Sequence, residues 1–197
     1  MKKLKTILIA ILAITSMNTA SFAQGNCVEK GTIIIDAFYG FPYFNGTLLK
    51  AAYTDSVGNS NQVKNLNHFG GKFEILLTDK IGVGIEGTYA MASVRYMGNN
   101  RQIYTAGVNK LRILAKLNLH FATGESIDPY LTWGVGYKNT KVYDTYPNSG
   151  TDITINLVPI AFRAGIGMRY FFTDIIGVHA EVGLGGPIVE AGLSFKF

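Results

Sequence analysis

Three features of the 197-residue sequence predict an all-β fold: an eight-stranded antiparallel transmembrane β-barrel with up-and-down meander order. Apolar and polar residues alternate along segment after segment, which is the period of a strand. The longest uncharged stretch beyond the leader is Ala37 to Leu49, too short for a spanning helix, which needs about 20 apolar residues. Short turns alternate with longer polar connections, as in membrane barrels.

The N-terminus reads as an export signal. Lys2, Lys3 and Lys5 precede an apolar core, Ile7 to Ile14, and Ser21-Phe22-Ala23 places small residues at −3 and −1 of a cleavage site. Residues 1–23 are therefore expected to be a signal peptide and residues 24–197 the barrel domain. The signal carries three of the eighteen Lys and Arg and none of the thirteen Asp and Glu, so the formal charge drops from +5 to 15 − 13 = +2. No basic cluster remains, which excludes a nucleic-acid footprint. Cys27 is the only cysteine, so no intrachain disulfide forms; the segment before it does not fit a lipidation site, and it reads as a free thiol in a mobile N-terminus.

Strands are expected over about 31–40, 66–77, 81–95, 103–121, 129–138, 153–171, 176–184 and 188–197. Leu111, Ile113, Ala115, Leu117, Leu119 and Phe121 oppose Arg112, Lys116, Asn118 and His120; Phe162, Ala164, Ile166, Met168 and Tyr170 oppose Arg163 and Arg169; Val189 to Phe197 alternates likewise. The apolar rows run up to six positions with aromatics near their ends, which suits an outer face against lipid and a polar lumen. Residues 78–80, 122–128 and 173–175 are short connections, expected on the periplasmic side with both termini. Residues 41–65, 96–102 and 139–152 are longer and expected outside; Gly185-Gly186-Pro187 is a tight last outer loop. Thr78-Asp79-Lys80-Ile81-Gly82-Val83 and Thr173-Asp174-Ile175-Ile176-Gly177-Val178 form an internal repeat 95 residues apart, placing two hairpins at equivalent points of a closed sheet.

The segments Gly167 to Gly185, Ala191-Gly-Leu-Ser-Phe-Lys-Phe197 and Asp128-Pro-Tyr-Leu-Thr-Trp-Gly-Val-Gly-Tyr137 resemble the penultimate hairpin, closing strand and middle strand of the small outer-membrane β-barrel domain family, the OmpA/OmpX-type eight-stranded barrels. The similarity is clearest over 125–197. It implies a place in the cell outer membrane among lipid and lipopolysaccharide. It also implies insertion by the barrel-assembly machinery, which reads the final strand through Phe195 and Phe197. The peptidoglycan-binding role of longer relatives is not expected.

An eight-stranded barrel is just wide enough for side chains to fill. Asp36, Lys72, Glu74, Glu86, Arg112, Lys116, Arg163, Arg169, His179, Glu181 and Glu190 are expected to form a lumenal ion-pair network, because an unpaired charge in that interior costs several kcal/mol. In it, Glu86 and Glu181 would face Arg112, Lys116, Arg163 or Arg169. Two alternatives use the same residues. One is a small-solute or ion channel. The other is a lipid-modifying hydrolase built on His179 and Glu181, which share a face at i and i+2 but lack an evident nucleophile. His68 and His120 are scattered, so no metal site is expected, nor a cofactor. The first outer loop, with Phe41, Tyr43, Phe44 and Tyr53, is the candidate surface for an external ligand, although Phe41, Tyr43 and Phe44 also suit an outer aromatic girdle. The expected function is a structural or surface-interaction role, non-enzymatic and monomeric.

Overall fold

The computed structural model describes residues 26–41, 63–97, 102–121, 124–145, 152–154 and 159–197, with backbone only for 63–67 and 152–154. The signal segment 1–23 and Tyr43, Phe44 and Tyr53 lie outside the described residues.

The strands are β1 (Ile33–Phe41), β2 (Val63–Leu76), β3 (Ile81–Met97), β4 (Ile103–His120), β5 (Ile127–Asp144), β6 (Asp152–Thr154), β7 (Ile160–Phe171), β8 (Ile176–Leu184) and β9 (Val189–Lys196). All pair antiparallel. Both β6 and β7 pair with β5, as two pieces of one stave. The sheet therefore has eight staves in meander order, and it closes because β1 pairs with both β2 and β9. Closure pairs the lower part of every stave on both sides.

Side-chain direction makes this barrel inside-out. Arg112, Arg163 and Arg169 are at most 1% exposed, whereas Ile113, Phe162 and Met168 beside them are 52–64% exposed. Charged residues are almost never fully buried unless paired, and broad apolar surfaces mark contact with lipid or protein. The outer face continues around the staves through Ile35, Phe73, Ile85, Leu117, Trp133, Val178 and Leu193. This is a band for hydrocarbon, and the charges turn inward.

The internal repeat forms two matching turns. Thr78 Oγ1 accepts the Lys80 and Ile81 amides at 3.3 and 3.0 Å, and Thr173 Oγ1 accepts the Ile175 and Ile176 amides at 3.3 and 2.8 Å. The threonine hydroxyl thus bonds backbone amides of the tight reversal. At the other end, Gly185 sits at φ +85°, and a Cβ there would lie 2.1 Å from the Phe162 carbonyl oxygen, so this turn needs glycine.

Several expectations shift; Val63–Asn65 and Tyr96–Met97, for example, read as outer loop, belong to β2 and β3. The segment 139–152, read as a loop, is strand through Asp144 and again at 152–154. These positions stand above the apolar band, where both strand faces are wet and alternation fades. Phe41 ends β1, pairs with Val189 and points outward, in strand rather than loop. Asp128 lies in β5 rather than in a turn.

Another concerns the segment before β1, which is folded rather than a mobile tail. The Cys27 amide donates to Gly124 at 2.8 Å, Lys30 to Asp79 at 2.9 Å and Gly31 to Leu76 at 2.9 Å, while Lys196 Nζ donates to the Cys27 carbonyl at 2.7 Å. These partners sit on both sides of the turn-side mouth. Cys27 and Val28 close over Ile34, Leu76 and Phe171 as an apolar lid. Burial, aided by the nearby Asp128 charge, pushes the Cys27 thiol up to about 11.

Candidate functional site

Inward positions recur every second residue, and the antiparallel registers bring them to two levels. The lower level, next to the turns, is built on Arg169 of β7. Its Nη2 donates to Asp36 of β1 at 2.9 Å and to Glu74 of β2 at 2.7 Å, and its Nη1 donates to Asp128 of β5 at 3.0 Å. One guanidinium thus ties four staves. His120 bridges two of the same acids, with Nδ1 2.7 Å from Asp128 and Nε2 2.8 Å from Glu74. Carboxylates only accept, so both bonds form when both ring nitrogens carry hydrogen. Tyr130 stacks beneath the Arg169 guanidinium at 4.3 Å, its ring held against Gly167, where a Cβ would lie 2.4 Å from the phenol.

The upper level holds three glutamates and three paired cations. Lys72 pairs with Glu181 at 2.5 Å and with Glu190; Lys116 pairs with Glu86 at 2.9 Å. Arg163 reaches Glu181 at 2.5 Å and Glu190 at 3.0 Å, and its Nη1 donates to the Pro187 carbonyl at 3.1 Å. The Tyr130 hydroxyl donates to Glu181 at 3.3 Å and so links the two levels.

Arg112 departs from the expected pairing. It points into the lumen and is 1% exposed, yet none of its guanidinium nitrogens has a hydrogen-bond partner among the described residues. Glu86 and Glu181 take Lys116, Lys72 and Arg163 instead.

His179 shares its inward face with Glu181, but its hydrogen-bond neighbour is Ser194 of β9. Its Nδ1 lies 3.0 Å from Ser194 Oγ, and that hydroxyl donates to Asp36 at 2.6 Å. A serine, a histidine and an aspartate are thus assembled that no short motif announces. They do not form a hydrolytic triad. In a triad, one ring nitrogen takes the serine proton and the other is held by the acid. Here the serine proton goes to the acid, His179 Nδ1 faces both partners, and Nε2 has no hydrogen bond among the described residues. All three residues are at most 3% exposed, so a substrate has no approach.

Asp128, His120, Tyr130 and Ser194 were not foreseen as site residues. The available signal was phase: His120 follows Arg112 and Lys116 on one face, and Asp128 precedes Tyr130 and Thr132 on another. Among the described residues no group of His, Cys, Asp and Glu is placed to hold a metal ion.

The chain matches no family model and no curated protein. Among solved structures it is similar to the N-terminal β-barrel domain of Pseudomonas aeruginosa OprF, at 15% identity and TM-score 0.43, covering 86% of this chain and 100% of that one. It is also similar to the outer membrane protein OprG of Pseudomonas aeruginosa, at 14% identity and TM-score 0.43 over 86% and 97%. A third is the attachment invasion locus protein Ail of Yersinia pestis, at 13% and 0.40 over 85% and 99%.

Proposed function

We propose that this protein is an exported integral outer-membrane barrel with a structural and surface-interaction role. Residues 1–23 act as its signal peptide, and both termini and the Thr-Asp turns face the periplasm. The observation that carries this reading is the filled lumen. Ten of the eleven inward charged or histidine side chains expected from sequence are at most 5% exposed and Lys116 is 6% exposed, so they fill most of the lumen. The apolar lid at Cys27 and Val28 adds a second block at the lower mouth. Such a barrel holds its place in lipid and presents the connections at its upper end. Its partners are outer-membrane lipid and lipopolysaccharide around the apolar band, the barrel-assembly machinery reading Phe195 and Phe197, and an external ligand at the loops.

Planar-bilayer recording tests this reading against a channel. Purified protein should show no steady conductance, and a large steady conductance would replace the closed barrel with a pore. The hydrolase reading has its own check. His179→Ala should leave lipid A unchanged by mass spectrometry, since Ser194 and Asp36 are sealed with it inside the lumen.

A further inference from the structure

At the upper rim of the lumen lies a half-open cleft of about 260 Å³, lined by Lys110, Arg112 and Lys138 and by the Gly185-Gly186 turn. Among the described residues no carboxylate lines it. Arg112 and Lys138 are directly opposed in the β4–β5 register, and Lys110 stands two residues from Arg112 on the same face. Like charges directly opposite one another destabilise a sheet. A third cation beside them, and a buried guanidinium with no hydrogen bond among the described residues, leave a place for a negative charge from elsewhere.

The neighbouring acids pair with other cations: Glu86 Oε2 holds Lys116, and Glu190 is shared between Lys72 and Arg163, so Glu86 and Glu190 attract Arg112 only through space, without a hydrogen bond to it. Arg163, the other guanidinium at this turn, is committed to Glu181, Glu190 and the Pro187 carbonyl. Gly186 keeps the space open: a Cβ there would lie 2.5 Å from the Nη1 atoms of both Arg112 and Arg163.

We propose that this rim is a binding site for an oxyanion of the phosphate or sulfate class, held by the Arg112 guanidinium with Lys110 and Lys138. The guanidinium fork matches two oxygens of such a group, and the ammonium groups supply charge without fixed geometry. The cleft admits the anion with part of its water. Its place at the upper rim suits either a free phosphate from outside or the phosphate of a lipid headgroup in the outer leaflet.

The test titrates the purified protein, folded in octyl glucoside micelles at constant ionic strength, with inorganic phosphate by calorimetry. A second arm uses mixed micelles containing lipid A. Saturable binding in either arm, reduced at least tenfold in Arg112→Gln and unchanged in the turn variant Lys80→Gln, upholds the site. The arm that responds identifies the source. Absence of saturable binding in both arms overturns it, as does Arg112→Gln binding as tightly as the parent. Folding is checked by the gel-mobility shift between unheated and boiled samples. Should Arg112→Gln not fold, Lys138→Gln decides, with a severalfold loss expected and no loss counting against the site.

Discussion

The two levels of the lumen solve the same burial problem with opposite charge balances. In the lower level, three carboxylates, Asp36, Glu74 and Asp128, surround one guanidinium and one bridging imidazole. In the upper level, three glutamates meet three paired cations, and Arg112 is left over. Acid is in excess near the turns and base near the rim. Excess acid below is tolerable because each carboxylate there receives a donor from Arg169 or His120. The surplus cation above has no such arrangement among the described residues, so the rim leaves a buried charge available to something outside the protein.

The sharpest way to break the lower level is Arg169→Met. It would strand three buried carboxylates and remove bonds to β1, β2 and β5. Losing one partner of a buried ion pair costs about 3–5 kcal/mol. The urea midpoint of the folded barrel, followed by the lone tryptophan Trp133 on the lipid face, should fall by far more than for any upper-level change. A small shift would show that water, not Arg169, neutralises these acids. Glu181→Gln comes next. It keeps an acceptor for Lys72 and Arg163 but removes the charge, leaving four cations against two acids, and should cost about 2–3 kcal/mol. Equal losses for the two variants would erase the difference between the levels.

How much of this was readable beforehand depends on the range of the interaction. Alternation is local, so β4, β7, β8 and β9 and their lipid faces were legible, and the Thr-Asp repeat located two of the turns. The upper part of β5 was not, because Asn139 to Asp144 rise above the apolar band and lose the contrast between faces. The phase of a strand says that Arg112, Arg163 and Arg169 point inward. It does not say which acid each meets, since several staves compete for every cation across a narrow lumen. Ser194 meets His179 and Asp36 only because β9 closes the barrel against β1 and β8. The lid at Cys27 has no periodicity at all; its partners, Gly124, Asp79 and Lys196, are distant in sequence.

That lid gives a smaller expected effect. Cys27→Ser would place a hydroxyl in an apolar cluster, at a cost of about 1–2 kcal/mol. The unmodified thiol gives a direct readout. Its pKa is raised to about 11, against about 8.5 for an exposed thiol. The thiolate is the reactive form, so at pH 8 the folded protein holds far less of it than the unfolded chain. Maleimide labelling of the folded barrel should be at least tenfold slower than in urea, and should still be climbing at pH 10. Labelling as fast as in urea would place Cys27 outside the lid and return the lower mouth to solvent.

The smallest expected change is the one that separates the levels most clearly. Arg112 and Arg169 are both lumenal arginines and both almost wholly buried, so burial alone predicts similar penalties. Pairing predicts otherwise. Arg112→Met removes no ion pair and no hydrogen bond among the described residues, and it relieves repulsion with Arg163 and Lys110. Its cost in phosphate-free buffer should be under about 1 kcal/mol, and its stability should not respond to added phosphate. The parent should gain stability from phosphate, because a ligand that binds only the folded state shifts unfolding in proportion to its occupancy. A loss for Arg112→Met as large as for Arg169→Met would mean that the upper level, too, spends all its cations on its own glutamates.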